Sequence, residues 1–325
     1  MSSNLKQITS NNLLDNLLIN LPIWFPLAYI FLSVNLPLQS TYLFIAVLFL
    51  FAETHFASTW LFFFDKDNWS WIKNNSYKII FLPLYFLILL FLTWFFSPTL
   101  IIFLHYLASG WHVTNQSIGI IKIYCFRKKF YQFLVYFVSF SCLAIGLNNP
   151  GVFAEVFSVQ QVNLFLLVSF ICYLLVLTLN SLKLIPSKLL DFFPLLTGVV
   201  IYLPILFFEN ISTATAVGVG IHWCQYIAIV WTTYIRKNFH AKNKKFIFSK
   251  LPNLSRLTFI FIYSALMTYL AFIGMPKIIT NSPEYSIAFL IPILFQIYHF
   301  YIDGFIWKFS DPHIKNSVLK YLYKS

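Results

Sequence analysis

The chain has 325 residues, of which 59% are hydrophobic and 10% charged, and its formal net charge is +12. A soluble domain is typically about 45–50% apolar and about 25% charged. A soluble fold of this length could not bury so much apolar side chain, so the composition indicates an integral membrane protein. The cysteines, Cys125, Cys142, Cys172 and Cys224, show neither a CxxC nor a paired spacing and give no sign of a disulfide framework or a zinc ribbon.

The predicted elements are transmembrane helices, each needing about 20 mostly apolar residues. Ten stretches qualify, in chain order: 13–34, 38–64, 79–96, 98–122, 130–147, 161–182, 189–208, 211–235, 254–274 and 285–307. The connections are short, so residues 1–325 are predicted to form a single transmembrane domain, an all-α polytopic bundle. The first residues, MSSNLKQITSNN, lack the basic start and the A-x-A-like site of a cleavable signal peptide.

The basic residues predict the orientation of the helices. With ten helices and a cytoplasmic N-terminus, every Lys and Arg except Lys277 falls in a cytoplasmic segment. This positive-inside pattern predicts that both termini are cytoplasmic. The positive net charge is accounted for by basic residues on the cytoplasmic side, which are attracted to anionic lipid headgroups. The bilayer is therefore the expected partner, and nucleic acid is not. The bacterial inner (cytoplasmic) membrane is the predicted location, and His240 and His313 are expected to be solvated.

The other five histidines, His55, His105, His112, His222 and His299, fall inside predicted spans. Ionisable residues within a membrane usually face the bundle interior and mark a functional site. Counting from the nearest charged end of each helix at 1.5 Å per residue, four of them lie about 14–21 Å deep. His105 lies about 10 Å above His112, toward the other side.

Each of these helices places its histidine on one polar stripe, since residues three or four apart share a helix face. The stripes are His55 with Ser58 and Thr59; His105, Ser109, His112, Gln116 and Gly119; Thr215, Gly218, His222 and Gln225; and Gln296, His299 and Asp303. Such stripes are expected to turn toward each other or toward a cavity.

Several neutral imidazoles directed at one place are the usual environment of iron, copper or zinc. Histidine ligands normally donate their second N–H to a carboxylate, amide or carbonyl. Asp303, Gln116 and Gln225, three or four residues from a histidine, are predicted to give this support, and Asp303 is alternatively a ligand. A mixed set of histidine and carboxylate would favour oxygen-activating iron, whereas copper and zinc also fit histidines alone.

Other motifs are missing from the sequence. It contains no HEXXH, HxxxH or HxxHH box, no aspartate-rich prenyl-diphosphate motif, no P-loop and no dinucleotide fingerprint. Its nine glycines provide no phosphate-binding loop. Glu53 lies two residues before His55, nearly on the opposite side of that helix, and is therefore expected outside the ligand shell.

Two segments, HFASTWLFFFD (55–65) and YHFYIDGFIWK (298–308), resemble the histidine-bearing helices of the bacterial Brp/Blh-type β-carotene dioxygenases. That resemblance implies a membrane iron site with histidine ligands from several helices, and oxygen-dependent cleavage of an isoprenoid double bond. The chain departs from the family in its wider histidine spacing in HYLASGWHVTNQ, its larger number of helices and its lack of an early Pro-His-Gly.

The favoured function is a membrane metalloenzyme that oxidises or cleaves a lipid-like or isoprenoid substrate with oxygen. A transporter or channel that uses intramembrane histidines for proton or metal passage is an alternative. A bis-histidine haem protein and a structural subunit with histidines as interhelical hydrogen bonders also remain open.

Overall fold

A computed structural model describes residues 8, 12–123, 129–149, 151–152, 158–182, 192–241, 251–274 and 287–323. Across these ranges every regular element is a helix, which confirms the all-α prediction for them. Cys125, Lys277 and most of the basic loop 236–250 lie outside the described residues, and so does the side chain of His240.

The helices are numbered α1 to α13 in chain order. The first group is α1 (Leu13–Asn20), α2 (Trp24–Asn35), α3 (Pro37–Phe63), α4 (Trp69–Asn74), α5 (Tyr77–Trp94) and α6 (Pro98–Ile123). The second is α7 (Lys129–Asn148), α8 (Val159–Ser181), α9 (Phe192–Leu206), α10 (Ile211–Ala241), α11 (Leu251–Gly274), α12 (Ile287–Ile306) and α13 (312–322). Within α3, the segment Leu48–Glu53 is π-helical and Thr54–Phe63 is α-helical.

Among the described residues, seven helices are long and apolar enough to cross a membrane: α3, α5, α7, α8, α10, α11 and α12. Helices such as α5 and α8 expose large apolar side chains, among them Tyr85 and Phe165, that water would not favour. These features support a membrane protein and confirm seven of the ten predicted spans.

The three remaining predicted spans differ from expectation. The stretch 13–34 is a pair of helices bent by 61° and counts as an eighth span if the pair is taken together. The stretch 98–122 forms helix α6. Because of its polar stripe, α6 is not among the helices that are apolar enough to cross a membrane. The described part of 189–208 is the shorter helix α9.

The bend between α1 and α2 has a local cause. Pro22 has no N–H to continue the helical hydrogen bonds, and Leu21 leaves the helical region with φ −146° and ψ 60°. The carbonyl of Ile19 accepts a hydrogen bond from Gln225 Nε2 at 2.6 Å, and that of Asn20 accepts one from Thr197 Oγ1 at 3.4 Å. Side chains from α9 and α10 thus satisfy carbonyls that the break leaves without helical partners.

The chain divides into two compact units. Unit I comprises residues 1–47, 110–229 and 324–325, and unit II comprises 48–109 and 230–323. The boundaries fall inside α3, α6 and α10.

In unit I, apolar side chains of α1, α2 and α8 form one cluster around Leu21, Leu27 and Tyr173. A second cluster joins Ile121 of α6 and Val135 of α7 to Leu195 of α9.

In unit II, α3 packs through Phe56, Ala57 and Leu61 against Ile260 and Met267 of α11. On α12, Leu290, Ile293 and Ile297 pack against Leu90, Trp94 and Ile101 of α5 and α6, while Ile302 and Ile306 pack against Ile79. Burial of these apolar faces fixes the rotation of α3 and α12 about their axes, and with it the direction of their polar stripes.

Helix α13 is held at its start by side chains. The Asp311 carboxylate accepts hydrogen bonds from the backbone N–H groups of His313 and Ile314, at 2.8 and 3.2 Å. His313 Nε2 lies 2.9 Å from Asn68 Oδ1, and its ring stacks on Trp71 at 5.6 Å between centroids. The expectation of a solvated His313 is therefore wrong, because the side chain is half-buried between α4 and α13.

Gly218 gives a test of packing in unit I. A Cβ atom built at this residue would collide with the backbone carbonyl of Ile201. Because that carbonyl belongs to the main chain, it cannot rotate away as a side chain would. Gly218→Ala is expected to destabilise the protein by about 1–3 kcal/mol, seen as a lower midpoint of thermal unfolding in detergent.

Gly119 provides the matched control, since a Cβ there meets nothing within 4 Å. Gly119→Ala should leave stability unchanged or raise it by up to about 1 kcal/mol through helix propensity. Equal midpoints for the two variants would contradict the packing described for Gly218.

His313 gives a second prediction, on pH. Burial lowers the pKa of His313; Asp311, Asp65 and Asp67 act in the opposite direction, and Lys237 acts with burial. Because the pKa of His313 is lowered when α13 is docked, His313 binds a proton more readily when α13 is undocked. Docking is therefore strongest above about pH 6.5 and weakens as the pH falls below that value. The mobility of a spin label at Lys320→Cys, in a background with serine for the native cysteines, should rise between pH 7.5 and 5.5.

His313→Gln keeps a donor for Asn68 but cannot titrate, so in that variant the label mobility should not change over this range. A rise of the same size in His313→Gln would show that another group is responsible.

Candidate metal centre

The predicted ligands lie in both units. His55, His105 and His299 belong to unit II, and His112 and His222 belong to unit I. His55, His112, His222 and His299 are buried. The role of His112 as a ligand stays a prediction.

His55 and His299 meet where α3 packs on α12. Their ring centroids are 4.5 Å apart, with an interplanar angle of 73°. Phe56 presents its ring to His299 at 5.0 Å in an edge-on arrangement. The two imidazoles are therefore shielded by the same apolar contacts that join these helices.

Two further residues of the same stripes surround His299. Thr59, one turn after His55, places Oγ1 at 2.6 Å from His299 Nδ1 and 3.4 Å from Asp303 Oδ1. Asp303, one turn after His299, places Oδ2 at 3.6 Å from His299 Nε2. The stripes of α3 and α12 thus face each other as expected. The sequence spacing predicted that Thr59 lies on the same polar stripe as His55, but it predicted no role for Thr59.

His112 and His222 are neighbours in unit I. Their ring centroids are 5.6 Å apart, and the rings are nearly perpendicular at 88°. His222 is buried and also lies 6.2 Å from the ring of Tyr226. The role of His222 as a ligand stays a prediction.

The two predicted supporting glutamines lie on α6 and α10. Gln225 is buried, and its amide nitrogen donates to Ile19 at the α1–α2 break. Gln116 is half-buried one turn after His112. Their roles beside the histidines stay predictions.

His105 takes part in a hydrogen-bonded chain in unit II. Gln296 donates from Nε2 to Glu53 Oε1 at 2.9 Å, and its Oε1 lies 2.7 Å from His105 Nε2. Since an amide oxygen can only accept, His105 Nε2 carries the proton of that bond. The role of His105 as a ligand also stays a prediction.

Glu53 lies closer to the site than its spacing from His55 predicts. It is 1% exposed and contacts Gln296, one turn before His299 on α12. The segment Leu48–Glu53 is a π-helix, a feature frequent at functional sites. A helical wheel at 100° per residue does not represent such a segment.

No protein-family model, no curated protein and no solved structure matches this chain. The resemblance to the Brp/Blh-type dioxygenases therefore stays a prediction. The chemistry of the site must be argued from its own residues.

The chain through Gln296 gives a prediction on stability. Gln296→Leu removes the donor to Glu53 and the acceptor for His105, and leaves the buried carboxyl without its bond to this amide. A buried polar group that loses its partner costs about 1–3 kcal/mol, so the thermal midpoint in detergent should fall. Gln160→Leu, on an exposed position of α8, should have little effect.

The double variant Glu53→Leu with Gln296→Leu separates this cause from a general packing defect. The double variant removes the Glu53 carboxyl as well and leaves only His105 without its acceptor, so it should be less destabilised than Gln296→Leu alone. A double variant that is less stable than either single variant would contradict the assignment.

Proposed function

We propose that the chain is an integral membrane metalloenzyme, with a transition-metal ion held inside the membrane by histidines that include His55 and His299. The observation that carries this proposal is the contact between these two buried imidazoles in unit II. Imidazole suits iron, copper and zinc, and iron is favoured because Asp303 adds a carboxylate next to the histidines. Catalytic metal sites commonly use three protein ligands and keep a position open for a reactant.

The proposed reaction is an oxygen-dependent oxidation or cleavage of a lipid-like or isoprenoid substrate. When bound, the metal would supply the activation of oxygen. The protein would supply an apolar environment: Phe56 and Phe300 present their rings to His299 at 5.0 and 5.7 Å. A hydrophobic substrate can approach such a site from the bilayer, and the same side chains exclude water.

The proposed topology has ten spans with both termini on the cytoplasmic side of a bacterial inner membrane. The distribution of Lys and Arg along the sequence supports it. In this topology α6 crosses the membrane within the bundle, where its polar stripe is covered by other helices.

A second candidate function, metal or proton transport, has one observation in its favour. The α1–α2 pair is broken and bent by 61°, and transporters often place binding sites at broken helices. In that case the histidines would bind an ion in transit. Zn²⁺ or Fe²⁺ entry into proteoliposomes that contain a metal-sensitive dye would favour transport over the enzyme.

The metal content of the purified protein tests the main proposal. Protein in detergent should contain about one iron ion per chain, measured by elemental analysis, and its visible spectrum should lack a Soret band. Removing a ligand lowers affinity steeply, so His55→Ala and His299→Ala should each lose most of the metal.

His313→Gln is the matched control, since His313 binds Asn68 rather than the site, and it should keep the metal. A wild-type protein without metal, or metal content that is the same in all variants, would contradict the proposal. A Soret band would indicate haem instead.

A further inference from the structure

We propose that Asp303 is a ligand of the ion beside His55 and His299, and that Thr59 is the residue that holds His299 in position to bind it. This inference rests on the proposed metal site. It assigns Asp303 a place on the ion and gives the orienting role to a residue of the neighbouring helix.

The positions of the protons follow from the donors and acceptors around Thr59. Its hydroxyl has one hydrogen, which it donates to Asp303 Oδ1 at 3.4 Å. Toward His299 Nδ1, at 2.6 Å, the hydroxyl must then accept. Nδ1 therefore carries the ring proton, and Nε2 of a neutral His299 keeps the lone pair that can bind a metal.

This arrangement supplies what a histidine ligand needs. Metal-bound histidines nearly always donate their other ring N–H to a fixed acceptor, which sets both tautomer and ring orientation. Thr59 provides that acceptor from α3, the helix that also carries His55. Asp303 is not needed for this role, and its Oδ2, at 3.6 Å from Nε2, is beyond ordinary hydrogen-bond length.

The distance of 3.6 Å fits two ligands of one ion. Atoms that lie 2.0–2.2 Å from an ion and 3.6 Å from each other subtend roughly 110–130° at that ion, near the tetrahedral angle. An ion beside Nε2 would thus meet Oδ2 with little movement of either side chain. It would also offset the cost of burying the Asp303 carboxylate, which is 3% exposed.

The ligand set then indicates the class of metal. Imidazole nitrogens together with a carboxylate oxygen suit divalent iron, zinc or manganese. Monovalent copper prefers soft thiolate or thioether ligands, which this set lacks. The site is therefore expected to select a divalent ion.

Cobalt(II) is the probe for the test, because its visible bands report the ligands and geometry directly. Metal-free protein in detergent is titrated with Co²⁺ while the spectrum is recorded. Thr59→Val, which keeps the shape but removes the hydroxyl, should weaken Co²⁺ binding by about 10–100-fold and leave the band positions nearly unchanged. Thr59→Ser should restore affinity, and Thr268→Val, at another buried threonine of unit II, should bind as the wild type does.

Asp303→Asn should shift the Co²⁺ bands themselves, since a ligand has changed, and should weaken binding further than Thr59→Val. Unshifted bands in Asp303→Asn would overturn the ligand assignment, and unchanged affinity in Thr59→Val would overturn the positioning role. Failure of the wild type to bind Co²⁺ would instead contradict the metal site itself, so the two failures are distinguishable.

A measurement on the wild type keeps the test valid if Asp303→Asn does not fold. Infrared difference spectra of protein labelled with ¹³C-aspartate should show one aspartate carboxylate band shifting when Co²⁺ is added. The absence of any shifted aspartate band would overturn the proposal without using a variant.

Discussion

A polar group inside a membrane has to find its partner within the protein, and the arrangement of these helices follows from that constraint. In unit II, Thr54 Oγ1 of α3 lies 3.2 Å from Ser264 Oγ of α11, while Thr59 lies against His299 of α12. In unit I, Gln225 and Thr197 bind the carbonyls exposed by the α1–α2 break. Each of these polar side chains is thus tied to a specific neighbouring segment, whereas apolar contacts alone would tolerate sliding and rotation.

The same constraint explains how far the sequence could predict the fold. Long apolar stretches with few charges can be recognised as spans from the sequence alone, and seven predicted spans agree with helices of the structure. The exceptions are segments where polar residues or proline change the pattern. Pro22 divides the first stretch into two bent helices, and the polar stripe of α6 makes it less apolar than a lipid-facing helix while leaving it fully helical.

The candidate site was predictable in part, for a similar reason. Depth along a helix depends only on residue count, so His55 and His299 could be placed at one level, and the structure brings their rings together in unit II. The pairing of side chains across helices depends on the packing angle and rotation of the helices, which cannot be read from the spacing of residues in the sequence. Thr59 therefore could not be recognised as the partner of His299, nor Gln296 as the link between Glu53 and His105. For Glu53 the π-helical segment adds a second difficulty, because it changes the angle per residue on which the prediction relied.

Thr59 shows how closely the site and the fold are connected. Its hydroxyl lies between α3 and α12 and contacts both His299 and Asp303. The contact that fixes the rotation of one helix against the other therefore also holds the direction of an imidazole. The helices already hold these groups in place, so an ion that enters the site need not order mobile side chains. A preorganised site gains affinity because this conformational cost is already met by folding.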